Sequence, residues 1–356
     1  MTRRAFVELT TLAGGAAVLS GLSACGGYSQ APSPSASVTS GSAGVDATAS
    51  TSASVSAATA SASSSGASGA APQVYFTHKL NSESMQAVFA AIGQGLGNGR
   101  IGVKLSTGEP GGNHYLKADL ISGLVNELGA TIVECNTAYG GGRSNTEAHY
   151  QVAADHGFTQ IAGFQIMDES GSLPLPVENG FHLSENLVGA HFADYDSFLV
   201  LSHFKGHQMA GFGGALKNIS IGMASREGKL LIHSAGTNRT SWQSAATPDF
   251  LESMADACKA VLAAQPNMLF VNVMNNLSVD CDCDSNPAPP KMADIGILAS
   301  ADPVALDQAC VDLVYESDDD NADLIARIES RDGQHVLEAA EALGVGSRAY
   351  EFIEIG

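Results

Sequence analysis

From Gln73 to Gly356 short apolar runs alternate with segments of helical spacing, and several of the runs open into glycine-rich loops. That alternation constrains the fold more than any other feature of the chain. Val74-Tyr75-Phe76, Ile101 to Leu105, Thr131 to Cys135, Ser197 to Ser202, Met268 to Val273 and Ile295 to Ala299 read as strands. Between them Met85, Val88, Phe89 and Ile92 share one face of a helix over Ser82–Leu96. Helices over Leu116–Leu128 and Thr146–His156 each run into a glycine, Gly129 and Gly157, which suits a C-cap. Pro303 opens a helix to Tyr315, where the missing N–H costs nothing. Two polar helices, near Ala322–Glu329 and His335–Leu343, and a strand over Tyr350–Ile355 close the chain. Strands alternating with helices predict an α/β fold: a mainly parallel sheet with helices on both faces, in a single large domain over residues 73–356.

The first 72 residues are of a different kind. Arg3-Arg4-Ala5-Phe6-Val7 reads as a twin-arginine export signal. Thr11 to Ala24 is apolar or small, and at about 14 residues too short to span a bilayer stably. Leu22-Ser23-Ala24-Cys25 reads as a lipobox. The expectation is a signal peptide over 1–24 and lipid on Cys25, with two acyl chains giving stable anchoring. Residues 25–72 are Ser-, Ala-, Thr- and Gly-rich, with Asp46 the one charge and Tyr28 the one aromatic. Such a segment buries too little apolar area to offset its ordering entropy. As a coil it would span roughly 35–40 Å. The chain is thus expected to be extracytoplasmic, lipid-anchored to a bacterial cell membrane.

A formal net charge of -20 argues against nucleic acid as a partner and against direct docking on anionic lipid. With Cys25 assigned to lipid, Cys135, Cys258, Cys281, Cys283 and Cys310 remain, so a monomer keeps at least one unpaired thiol.

In sheets of this kind ligands bind beyond the carboxyl ends of strands, and four such stretches carry the candidate chemistry. Lys104 and the loop Thr107-Gly108-Glu109-Pro110-Gly111-Gly112-Asn113 offer a cation and approachable backbone N–H groups. Tyr139-Gly140-Gly141-Gly142-Arg143 offers a guanidinium for a carboxylate or phosphate. Ser202-His203-Phe204-Lys205-Gly206-His207 places two histidines four apart, able to chelate a divalent metal if the loop is helical. Lys205, Lys217 and Asn218 crowd the same region and favour an anion. In Asp280-Cys281-Asp282-Cys283-Asp284, thiolates beside carboxylates suit a metal such as iron or zinc. A local disulfide or two inert thiols are the alternatives. No Gly-x-Ser-x-Gly elbow occurs, and no catalytic triad assembles by spacing.

From about Val74 the chain resembles the domain of unknown function 362 family. The resemblance rests on Gly108-Glu109-Pro110-Gly111, Tyr139-Gly140-Gly141-Gly142-Arg143, the segments 202–207 and 210–218, Cys281-Asp282-Cys283 and the run from Asp294 to Asp307. It implies no settled activity. Its iron–sulfur label belongs to relatives with ferredoxin-like cysteine runs, and no Cys-x-x-Cys-x-x-Cys occurs here, so a ferredoxin-type cluster is not expected. Two readings follow. In the first, a metal-dependent or redox-linked site joins His203, His207, Cys281 and Cys283, while Lys104, Glu109, Gly111, Arg143, Lys205, Lys217 and Asn218 hold a small anionic ligand. In the second, a surface lipoprotein captures that ligand without chemistry.

Overall fold

The computed structural model describes residues 70–284 and 286–356. The expected signal peptide, Cys25 and nearly all of the expected tether lie outside these residues. No helix among the described residues is long and apolar enough to cross a membrane.

The strands are β1 (Gln73–Thr77), β2 (Ile101–Lys104), β3 (Thr131–Glu134), β4 (Gly163–Ile166), β5 (Ser172–Pro176) and β6 (Glu185–Gly189). After them come β7 (Ser197–His203), β8 (Lys205–His207), β9 (Gly211–Gly213), β10 (Met268–Met274), β11 (Gly296–Ser300) and β12 (Glu351–Glu354). Eight form one sheet in the order β12-β1-β11-β10-β7-β2-β3-β4, while β5-β6 and β8-β9 are separate hairpins. Neighbours pair in parallel except at β11, which is antiparallel to both β1 and β10. The cause is local: no helix lies between β10 and β11 to carry the chain back to the starting edge, so the strand returns reversed. The fold is α/β with a mainly parallel sheet.

Alternation along the central strands separates two cores. Phe198 and Val200 of β7 join Phe270 and the helices Thr247–Ala264, Pro303–Glu316 and His335–Ala342. Leu199 and Leu201 join Val103, Val271 and the helices Ser82–Ala91 and Ala118–Glu127 on the other face. Both faces of the sheet are therefore covered, which is why β7 and β10 are buried along most of their length.

The first helix ends at Ala91, not Leu96 as the spacing predicts, because Gly93 takes a φ of 74° that terminates it. Asn81 caps its start by accepting the Ser84 N–H at 2.8 Å. The sheet order reverses between β2 and β7: the chain moves outward through β3 and β4, then returns to the other side of β2. The crevice at that switch point is where such folds bind ligands.

Candidate ligand cavity at the switch point

Lys104 ends β2, Glu134 ends β3 and His203 ends β7, so three polar side chains meet where the strands stop. Above them lies a cavity of about 140 Å³. Its wall includes Lys104, Arg143, Lys217, Asn218, His207 and both Cys281 and Cys283.

The floor is a buried charge network. Lys104 Nζ donates to Glu134 Oε2 at 2.9 Å, to the Leu105 carbonyl at 2.6 Å and to Asn218 Oδ1 at 3.0 Å. Arg143 reaches Glu134 Oε1 at 3.3 Å and Glu109 Oε1 at 2.8–2.9 Å. Burial alone would raise the Glu134 carboxyl; Lys104, His149 and Arg143 outweigh it and hold the group at about 2. The Asn218 amide donates to the Lys104 carbonyl at 3.1 Å and the Leu201 carbonyl at 3.2 Å, tying β2 to β7. Gly222 stands opposite, where a Cβ would come within 2.7 Å of Asn218 Oδ1 and 3.0 Å of Lys104 Nζ.

A second network carries the cysteine segment. Asp282 accepts from Lys205 Nζ at 2.6 Å and pairs with His203 Nδ1 at 2.9 Å. Lys205 also donates to the His114 carbonyl at 2.8 Å, and His203 Nε2 lies 2.7 Å from the Asn275 carbonyl. Burial opposes ionisation of Asp282, but His203 and Lys205 bring it to about 2. Cys281 and Cys283 flank this aspartate and are bonded to each other. Cys135, Cys258 and Cys310 are free and buried. The disulfide also borders an outer cleft of about 500 Å³, formed with Pro110, Gly140–Gly142 and Gln208.

The expected site residues divide on this geometry. Lys104, Arg143, Lys217 and Asn218 line the cavity. Glu109 lies behind Arg143, its carboxylate held by that guanidinium and by the Tyr139 hydroxyl at 3.1 Å. Gly111 is exposed, at φ 77° in a turn closed by the Gly112 N–H on the Glu109 carbonyl at 3.0 Å. Lys205 lies buried beneath Asp282. The loop carrying His203 and His207 is not helical: His203 ends β7 and His207 ends the short strand β8, so helical spacing does not bring them together. Both His203 nitrogens face oxygen acceptors, which leaves no lone pair for a metal. His207 instead lies near the sulfurs, and one ligand atom each from His207, Cys281 and Cys283 fall within 4.8 Å of one another. These donors fit a soft divalent metal only as a dithiol, since a disulfide offers no thiolate. His207 Nδ1 already accepts the Ala210 N–H at 2.9 Å and the Met209 N–H at 3.3 Å, so the neutral ring carries its proton on Nε2 and would ligate a metal only after giving up both contacts.

Lys217 differs from the other cations. Lys104, Arg143 and Lys205 each have a carboxylate partner, but Lys217 Nζ has neither an ion pair nor a hydrogen bond among the described residues. Burial, then Arg143 and Lys104, lower its ammonium to about 8. Gly213 makes room for it, since a Cβ there would meet Lys217 Cδ at 3.1 Å.

Several residues of the site carry no signal in the sequence read alone. Lys229 and His233, one turn apart on the helix Arg226–His233, line the cavity, as does Trp242 from the loop after it. The Trp242 ring sits 4.6 Å from His233, and His233 stacks on Phe250 at 4.8 Å. Burial lowers His233 to about 4, and its Nδ1 donates to the Lys229 carbonyl at 2.6 Å. Glu134, by contrast, has a visible cue: a carboxylate inside the apolar run Thr131–Cys135.

A family model described as "Domain of unknown function (DUF362)" matches residues 101–312. No curated protein matches the chain. Among solved structures, the lactate racemase apoprotein from Thermoanaerobacterium thermosaccharolyticum is similar at 13% identity and a TM-score of 0.41, over 80% of this chain and 83% of that one. A protein from Thermotoga maritima is similar at 11% identity and a TM-score of 0.37, over 75% of this chain and 60% of that one.

Proposed function

The chain belongs to the DUF362 family, and from that premise we propose that it binds a small anion in the cavity between β2 and β7. The observation that carries this reading is the Lys217 ammonium, held half-buried on the cavity wall with no ion pair of its own among the described residues. An unpaired cation there is costly, and an entering carboxylate or phosphate removes that cost. Arg143 and Lys104 border the same cavity, each paired with a carboxylate, while Trp242 and Ile221 would give the ligand an apolar flank.

The reading extends to a metal. Cys281 and Cys283 would hold a soft divalent ion such as zinc or iron once the disulfide is reduced, with His207 as a third donor once its Nδ1 releases the Ala210 and Met209 N–H groups, and bound metal would add a Lewis acid at the cavity wall. The disulfide favours the second reading, in which the protein binds its ligand without chemistry. We further propose that the folded part is exported and held to the membrane by lipid on Cys25, at the end of a flexible tether.

Calorimetric titration of the purified chain with acetate, succinate and inorganic phosphate tests the core of the proposal. Saturable binding of at least one, lost in Lys217→Met, supports it. Failure of all three to bind, or unchanged binding in the variant, overturns it. Incorporation of labelled palmitate into the chain but not into Cys25→Ala tests the anchor.

A further inference from the structure

Away from the cavity, two histidines far apart in sequence face one carboxylate. His182 Nε2 lies 2.5 Å from Glu252 Oε2, and His335 Nε2 lies 3.1 Å from Glu252 Oε1. Asp249 stands one helical turn before Glu252, and ligand atoms of His182, Asp249 and Glu252 fall within 4.8 Å of one another. Side chains of His182, Glu252 and His335 are each about a quarter exposed, so the cluster is open to ions yet held by packing.

The backbone under this cluster is fixed. The buried Asp256 carboxylate accepts three successive N–H groups, from Phe181, His182 and Leu183, at 2.7, 2.7 and 2.8 Å. This seats the His182 loop on the helix Thr247–Ala264, one turn from Glu252. On the other side His335 opens the helix His335–Ala342, and its Nδ1 lies 3.5 Å from Glu338 Oε2. A carboxylate behind a histidine whose other nitrogen faces the site is the arrangement that orients metal-bound imidazoles.

We propose that His182, Asp249, Glu252 and His335 form a binding site for a divalent cation of the zinc class. Two imidazoles and two carboxylates match the donor preference of zinc, cobalt or nickel, not that of magnesium or calcium. The cation takes the place of the protons now shared between the rings and Glu252. It joins three elements: the loop before β6, the helix Thr247–Ala264 and the helix His335–Ala342. The site is independent of the anion cavity and of the Cys281–Cys283 pair.

Titration of the oxidised chain with cobalt(II), followed by visible absorption, tests the site. With the disulfide intact, one cobalt per chain is expected, with d–d bands and no sulfur-to-cobalt charge transfer. Affinity should fall roughly tenfold or more in both Glu252→Gln and His182→Ala. His335→Asn supplies a third variant should either of those fail to fold by circular dichroism. Zinc should raise the melting temperature of the parent chain and not that of the variants. Absence of saturable binding, affinity unchanged in Glu252→Gln, or a sulfur charge-transfer band in place of the d–d signal overturns the proposal.

Discussion

The Asp282 carboxylate lies 2.6 Å from the Lys205 ammonium, and both groups are buried. Because Asp282 is the residue between the two bonded cysteines, this ion pair holds the disulfide against the cavity. Removing the charge leaves the buried Lys205 ammonium without its counter-charge. Asp282→Asn should therefore lose about 3–5 kcal/mol, as broken buried pairs do, measured by urea unfolding at pH 7. The pH dependence has a definite sign. A carboxyl lowered from 3.8 to about 2 stabilises the fold above its unfolded value, by on the order of 2 kcal/mol, and that contribution is lost as pH falls from about 4 through 2. The stability difference between the parent chain and Asp282→Asn should narrow over that window.

Lys217 gives the opposite sign. Its ammonium is lowered to about 8, so the unfolded chain binds the proton more tightly and the folded chain is disfavoured below that pH. Stability from this group rises between about pH 8 and 10.5. Lys217→Met should stabilise the ligand-free chain at pH 7, by on the order of 2 kcal/mol. The same change should abolish anion binding. Anion affinity in the parent chain should fall as pH rises past 8. Thermal melts and titrations across pH 6–10 measure both effects, and a destabilised Lys217→Met variant would contradict them.

Reduction should decide whether the cysteine pair holds metal. After treatment with a phosphine reductant without oxygen, zinc should bind at about one ion per chain beyond that taken by the His182 cluster, and the gain should vanish in His207→Ala or Cys283→Ala. The oxidised chain should show no such gain. Metal analysis after dialysis measures the difference. Equal zinc content in both redox states would remove the metal reading of this pair.

Gly206 carries no unusual φ, yet a Cβ there would stand 2.2 Å from the Val279 carbonyl oxygen. The close approach lets β8 donate the Gly206 N–H to the Ser278 carbonyl at 3.0 Å and brings the cysteine segment over His207. Gly206→Ala should push that segment away, at a cost of roughly 1–3 kcal/mol. Weaker anion binding should accompany a lower melting temperature. A variant with parent-like stability and binding would show that the contact is not what places the cysteines.

Periodicity was enough to read the alternating frame, because the buried strands of such a sheet are near-continuous apolar runs such as Phe198–Leu201. The reversal of β11 was not readable, since direction depends on whether a helix fills the preceding connection and not on the strand's own residues. Lys104, Arg143, Lys217 and Asn218 stand out as polar groups after strands, and all four line the cavity. Charge alone does not distinguish Lys217, which has no ion-pair partner among the described residues, from Lys205, which Asp282 neutralises; only the contact does. The histidine pair misled for a related reason. A spacing of four has chemical meaning on a helix, and glycine at 206 with close packing on Val279 makes that segment a strand. Lys229, His233 and Trp242 reach the cavity from a helix and loop whose sequence shows only ordinary amphipathic character.

The Asn218 amide gives its hydrogens to the carbonyl that ends β2 and to the Leu201 carbonyl within β7. Here one side chain acts as a rivet across the gap, and its oxygen is taken by Lys104. The base of the cavity therefore has a fixed gauge. On the proposed anion-binding reading, discrimination among ligands would fall to the rim, where Trp242 and the cysteine loop stand, and to the length a ligand presents between Lys217 and that rim.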